Sequence, residues 1–317
     1  MAGALALSPL ETYAQAQYPA RPIRLVVPFA PGGVVDAIGR LWAERVGSGL
    51  GTVIVDNRGG AGGAIGTTEV ARAAPDGYTL LLGNTSTQVL NPAIMKKAPY
   101  DPMKDFVTID VIANSATSVC VHPSLPARNL KQLIAYAKAN AGKLTYGSAG
   151  AGTLTNLAGE MFKQQAGGLD ITHVPYKGAG PGLTDLVGGY IPIMTPNVTA
   201  QVLSFHRAGR IQILSVNSPE RLKAAPDIPT SSETLPNLVA QLFTGVFAPA
   251  GTPREIVDRL SQATRKAIAD PDFQKTLTQS GFEPMLDSNP EKAQRYVIQE
   301  HERFLPVIKA VGGFKNQ

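Results

Sequence analysis

The chain has 317 residues, 44% hydrophobic and 17% charged, with a net charge of +5; this is a globular composition, long enough for two domains with separate cores, and it excludes a disordered chain. Lys and Arg are scattered without a run of five, and the aromatics, 6% of the chain, do not interleave with basic clusters. The charge therefore suits solubility and the steering of anions, not a nucleic-acid surface. Cys120 is the only cysteine, which excludes an internal disulfide and a cysteine-based metal site.

Near the N-terminus, Ala2 to Leu10 is short, small and mostly apolar, and Ala14-Gln15-Ala16 has the form of a signal cleavage site, although no basic stretch precedes it. Residues 1–17 are expected to be the tail of a truncated secretory signal, or else a disordered arm, with the mature chain starting near Gln17 or Tyr18. No later apolar run reaches the about 18 residues that a bilayer crossing needs.

The first strong element is Ile23-Arg24-Leu25-Val26-Val27, an apolar, β-branched run of the kind buried on both faces of a parallel sheet. It stops at Pro28, passes Gly32-Gly33 and turns helical, with Ile38, Leu41, Trp42, Arg45 and Val46 at the spacing of one helix face. Gly32 and Gly33 serve either the geometry of a plain βα turn or a cradle of free amides for a small anion at a helix N-terminus. No G-x-G-x-x-G occurs here or in Gly59 to Gly66, and no G-x-x-x-x-G-K-[ST] occurs anywhere, so a small carboxylate fits better than a nucleotide.

Thr52 to Val55 predicts a second strand, Gly63 to Ala73 a helix and Tyr78 to Leu82 a third strand after the Pro75-Asp76-Gly77 turn. This β-α-β-α-β order predicts a parallel, doubly wound sheet with its ligand crevice at the carboxyl ends of the strands. The third strand runs into Gly83-Asn84-Thr85-Ser86-Thr87, small hydrogen-bonding side chains at the same sheet edge as Phe29 to Gly33. Val107 to Ala113 and Ser118 to Val121 are expected strands, and Leu130 to Ala139 an amphipathic helix. Lys143 to Gly147 restarts the theme, and Ser148 to Thr153 leads into a helix through Leu157, Met161 and Phe162. Ile171 to Tyr176 precedes the Gly-rich Lys177 to Pro181 turn and another helix. Strands follow at Ile191 to Met194, Ile211 to Val216 and Phe243 to Ala248, then helices near 253–269, 271–280 and 290–310.

Enzyme motifs are missing at each place they are sought. His301-Glu302 begins a zincin motif, but Leu305 stands where its second His would be; Ser148 has Tyr146 where a G-x-S-x-G needs Gly. None of the four His residues lies in the Gly-rich loops, and His173 falls within a strand, so a hydrolase or transferase using Ser86 or Ser148 lacks a base. Cys120, inside Val119-Cys120-Val121, reads as a buried, inert thiol. No metal and no cofactor are expected.

The segments Val27-Pro28-Phe29-Ala30-Pro31-Gly32-Gly33 with Asp36, Leu144-Thr145-Tyr146-Gly147-Ser148-Ala149-Gly150, His173-Val174-Pro175-Tyr176-Lys177-Gly178 and Phe247-Ala248-Pro249-Ala250-Gly251-Thr252-Pro253 closely resemble the Bug-type receptors. These are periplasmic solute-binding proteins of tripartite tricarboxylate transporters, and the resemblance spans about residues 18–313 in order. It implies an α/β, two-lobe Venus-flytrap fold with a mainly parallel sheet in each lobe. One domain is expected from 18–120 plus 249–317 and the other from 121–248. The function it implies is capture of a small organic acid, a carboxylate or dicarboxylate with aromatic acids included, for delivery to the membrane subunits of the transporter. The receptor would be periplasmic, a monomer, and not an enzyme.

By the same resemblance, backbone amides and ordered waters hold one ligand carboxylate at Phe29, Ala30, Gly32, Gly33, Val35 and Asp36 and at Asn84, Thr85, Ser86 and Thr87. Ser148, Ala149, Thr153, Tyr176, Gly178, Ala179 and Asn197, from the second lobe, face the variable end. For Asp36 the residues alone leave open whether it caps the first helix or orders the loop around the ligand. Lys177 is either a solvated charge or a carboxylate partner, and Tyr176 either core packing or a ligand contact. Two departures stand out: Gly188-Gly189-Tyr190-Ile191-Pro192 where relatives often read Gly-Gly-x-Val-Asp, and Phe243 in a region where they often carry Trp.

Overall fold

The computed structural model describes residues 18–95 and 97–310, so the expected signal segment at 1–17 lies outside the described residues. In chain order the elements run β1 (Ile23–Val27), α1 (Val34–Leu50), β2 (Val53–Asn57), α2 (Ala64–Ala71), β3 (Thr79–Asn84), α3 (Asn91–Ile94), β4 (Phe106–Ala116), β5 (Ser118–Val121), α4 (Leu130–Ala139), β6 (Leu144–Ser148) and α5 (Leu154–Gln165). They continue with β7 (Ile171–Pro175), α6 (Ala179–Gly188), β8 (Ile193–Met194), α7 (Ala200–Arg207), β9 (Gln212–Val216), β10 (Gln241–Pro249), α8 (Arg254–Ala269), α9 (Pro271–Gln279), β11 (Phe282–Pro284) and α10 (Pro290–Ala310).

Two sheets form, one ordered β11-β4-β10-β3-β1-β2 and the other β7-β6-β8-β5-β9. β1 lies in the middle of its parallel group, Leu25 opposite both Val55 and Leu80, and Ile23, Leu25, Val26 and Val27 are fully buried, as a strand covered on both faces must be. α1 covers that sheet with Ile38, Trp42 and Val46, and the Trp42 indole donates to Thr264 Oγ1 of α8 at 3.2 Å. Arg45, the polar member of the expected stripe, turns outward to pair with Asp270.

Parallel pairing is narrower than expected. It holds for β3-β1-β2 and for β7-β6-β8, whereas β10 and β11 in the first sheet and β5 in the second pair antiparallel, so both sheets are mixed. The cause is the crossing: β4 leaves the first sheet and β10 returns to it, so the two run side by side in opposite directions. The sheet changes at Thr117 and again between Val216 and Gln241, compared with boundaries expected at 120/121 and 248/249. The two crossings are tied to each other. Asn217 N donates to Thr117 O at 2.7 Å, Thr117 N to Ala240 O at 2.9 Å, and Ala240 N to Asn217 O at 2.8 Å.

Three elements had no expectation, the four-residue α3 among them. α7 shows only Val202 and Leu203 as buried apolar positions, too few to carry a helical period, and rests on the Thr199 cap; β11 is three residues ending in Pro284. Cys120 is fully buried in β5, and burial pushes its thiol up to about 12, which leaves it inert. Phe243 is core, stacked edge-on to Tyr296. No helix among the described residues is long and apolar enough to cross a membrane.

Candidate functional site

The first Gly-rich loop is ordered from below. The Asp36 carboxylate, 5% exposed, accepts the Gly32 amide at 3.0 Å, the Arg40 guanidinium at 2.9 Å and the Asn57 amide at 3.0 Å, and Asn57 also donates to Phe29 O at 3.0 Å. Asp36 thus orders the loop and does not reach the space in front of it. The N-cap of α1 is Gly33, with no side-chain hydrogen bond, so no side chain competes for the first amides of the helix.

The loop after β3 knots on itself. Asn84 Oδ1 accepts the Thr87 amide and Thr87 Oγ1 accepts the Asn84 amide, each at 3.0 Å, while Tyr100 donates to Thr87 O at 2.6 Å. Thr85 Oγ1 accepts the Phe243 amide of β10 at 2.9 Å. Ser86 behaves differently: its Oγ accepts the Leu154 amide at 3.0 Å, at the start of α5 in the other sheet's half.

On that side, Thr153 caps α5 by accepting Asn156 N at 3.3 Å, and its hydroxyl donates to Gly150 O at 2.7 Å. Thr155 Oγ1 accepts the Ala149 amide at 2.9 Å and lies 2.8 Å from Thr153 Oγ1. Contrary to expectation, a histidine does reach a loop serine. His173 Nε2 lies 2.7 Å from Ser148 Oγ, because β7 pairs beside β6 and turns the imidazole onto Tyr146, ring centroids 4.8 Å apart. Burial holds the His173 imidazole down to about 4, so it is neutral at pH 7. Ser148 Oγ is also within 3.1 Å of Gly150 O and N and is fully buried, so the pair is a strut under the loop.

Phe29, Gly33 and Val35 of the first loop, Asn84 and Ser86 of the second, and Ala149, Thr153, Ala179 and Asn197 from the other half line one shared cavity, joined by Val34, Thr155 and Leu242. Ala30, Gly32, Asp36, Thr85, Thr87, Ser148, Tyr176 and Gly178 do not line it. Tyr176 donates instead to Asp185 at 2.6 Å, and Ala30 N donates across to Lys177 O at 3.1 Å. Of the three additions, Thr155 sits in the same hydroxyl-rich stretch as Thr153 and could have been found; Leu242 belongs to a crossing strand and carries no local signal.

The N-termini of α1, α5 and α6 converge on this cavity through Val34 and Val35, Thr153 and Thr155, and Ala179. Their summed dipoles, and at α1 the first amides left without a side-chain partner, make it favourable for a negative charge, although no lining side chain is titratable. About 20 Å³ of space remains inside, enough for one or two waters, so a carboxylate enters only when the two halves separate. Wider grooves of about 620, 830 and 380 Å³ lie on the surface beside α8, α9 and α10; the first takes in the starts of α8 and α10, but Glu255, Asp258 and Glu291 line it.

Known proteins share this architecture. BugT of Bordetella pertussis is 33% identical over 298 residues, covering 93% of this chain and 90% of its own. An R. palustris protein solved with adipate superposes with a TM-score of 0.89 at 34% identity, over 93% of this chain and 98% of its own. MatC from Rhodopseudomonas palustris, solved with bound malate, gives 0.85 at 30% identity, over 92% and 100%. Residues 38–313 match the tripartite tricarboxylate transporter family receptor. The chain therefore belongs to that family of solute-binding receptors.

Proposed function

We propose that this receptor captures a small mono- or dicarboxylate between two lobes and presents it, in the periplasm, to the membrane subunits of a tripartite tricarboxylate transporter. The observation that carries the reading is the convergence of three helix N-termini, one from the first lobe and two from the second, on a cavity without titratable side chains. Amides at helix ends recognise a carboxylate whatever the rest of the ligand is, which suits a group common to many acids. The adipate and malate held by the two relatives have the same chemistry. The lobes divide where the sheets change, at Thr117 and between Val216 and Gln241, and the laced Thr117, Asn217 and Ala240 backbone is the hinge. Phe29, Gly33, Val35, Asn84 and Ser86 would face the common carboxylate, and Ala149, Thr153, Thr155, Ala179 and Asn197 the variable end.

A thermal-shift screen of mono- and dicarboxylates, including adipate and malate, tests this. An acid that binds only the native state at 100 times its dissociation constant adds about 2.7 kcal/mol of stability, a shift of several degrees. A panel of acids without effect, alongside a shift from amines or neutral sugars, sinks the reading.

A further inference from the structure

The lobes meet along a seam where backbone lies on backbone, and at one position an added side chain would first run into the opposite lobe. A Cβ built on Gly180, the second residue of α6, would stand 2.0 Å from Pro31 O, 3.2 Å from Pro31 C and 3.5 Å from Gly32 Cα, all of them across the cleft. Beyond its own helix backbone, those three atoms are its nearest surroundings. Other seam glycines differ in this respect. Gly62 and Gly178 would collide with Ala151 O at 2.5 Å and Ala30 N at 2.7 Å, but both have positive φ and are strained by any side chain, closed or open. Gly180 has no such φ requirement; it stands before Pro181, where a Cβ in helical backbone crowds the proline ring, but that crowding is the same whether the lobes are closed or open.

Building on the receptor reading, we propose that Gly180 sets how far the lobes close, acting as a positioning residue that touches Pro31 and not the ligand. A methyl group there needs at least 3.0 Å from the carbonyl oxygen in place of 2.0 Å, so the seam must part by about 1 Å at this point. Amides reaching a ligand from opposite sides of the cleft tolerate no such gap, since a hydrogen bond of about 2.9 Å lengthened by about 1 Å is no longer one. The small side of this contact therefore tunes affinity without contributing a ligand atom contact.

A ligand-free reporter of closure is available at the same seam. A Cβ on Gly33 would lie 3.5 Å from Ala179 Cβ, at the close end of the about 3.5–4.5 Å that a disulfide spans, and the native Cys120 is buried too deeply to compete. The pair Gly33→Cys with Ala179→Cys should oxidise readily under mild air or glutathione oxidation. Adding Gly180→Ala or the bulkier Gly180→Ser should slow that at least tenfold under conditions where urea unfolding shows the variant still fully folded. In the chain without the cysteine pair, Gly180→Ala should weaken adipate or malate binding at least tenfold. Equal oxidation rates with and without the methyl, or a parent pair that never oxidises, would overturn the proposal. Failure of the unsubstituted chain to bind either acid falls on the receptor reading, and the oxidation rates then decide Gly180 by themselves.

Discussion

The Phe29 to Asp36 loop and the Ser148 to Thr155 loop both lead from a strand into a helix at the cleft, yet they solve the helix-end problem in opposite ways. The first is held by a buried charge beneath it, Asp36, and leaves the first amides of α1 without a side-chain partner. The second is held by neutral hydroxyls that occupy its own amides: Thr153 caps Asn156, Thr155 takes Ala149, and Ser86 reaches across the cleft for Leu154. Amides at α1 without a side-chain partner are available to an anion, while the satisfied ones at α5 leave less for a ligand to gain there. On the proposed receptor reading, the difference teaches where general affinity and ligand selection separate: the α1 end would hold the carboxylate, and the α5 end would select what can displace or join its hydroxyls.

The sharpest way to break this contrast is Asp36→Ala. It strands the Gly32 and Asn57 amides around a buried gap, while the exposed Arg40 returns to solvent, and should cost about 3 kcal/mol in urea unfolding, together with most acid binding. A loss below about 1 kcal/mol would mean the charge is not what orders the first loop.

Acid should loosen the second loop. His173 has its pKa lowered by burial to about 4 from an ordinary 6.5, with Glu160 opposing the shift and Lys163 adding to it. Between those values the unfolded chain binds the extra proton and the native state does not, so stability is full above about pH 6.5 and falls as pH drops towards 4. The loss reaches about 3 kcal/mol by pH 4. His173→Gln should flatten that slope in unfolding curves taken at successive pH values. An unchanged slope would place the acid sensitivity elsewhere.

The smallest effect is expected at Thr153→Ala. Removing the α5 cap should cost about 1 kcal/mol of stability, because the hydroxyl serves its own helix as well as the cleft. Thr153→Ser should restore it. If neither substitution moves the unfolding midpoint, the second loop is not held by its hydroxyls and the contrast with Asp36 disappears.

What the amino-acid sequence determined by itself was local. The run Ile23 to Val27 declared a strand covered on both faces, Leu130 to Ala139 a helix with a single buried face, and Gly32-Gly33 and Ser148 to Thr153 the turns that open helices. Each rests on periodicity or turn chemistry within a few residues, so it can be read without knowing what lies opposite. Which loops meet was decided only in three dimensions. Ser86 finds Leu154 at a separation of 68 residues, His173 comes onto Ser148 through strand pairing, and Leu242 reaches the cavity because its strand crosses back into the first sheet. Gly180 shows the limit most plainly. Within its helix Pro181 is the local reason for a glycine; the carbonyl of Pro31, 2.0 Å from where a Cβ would stand, belongs to the other lobe, and that contact exists only once the two lobes, each folded by its own pattern, are brought together.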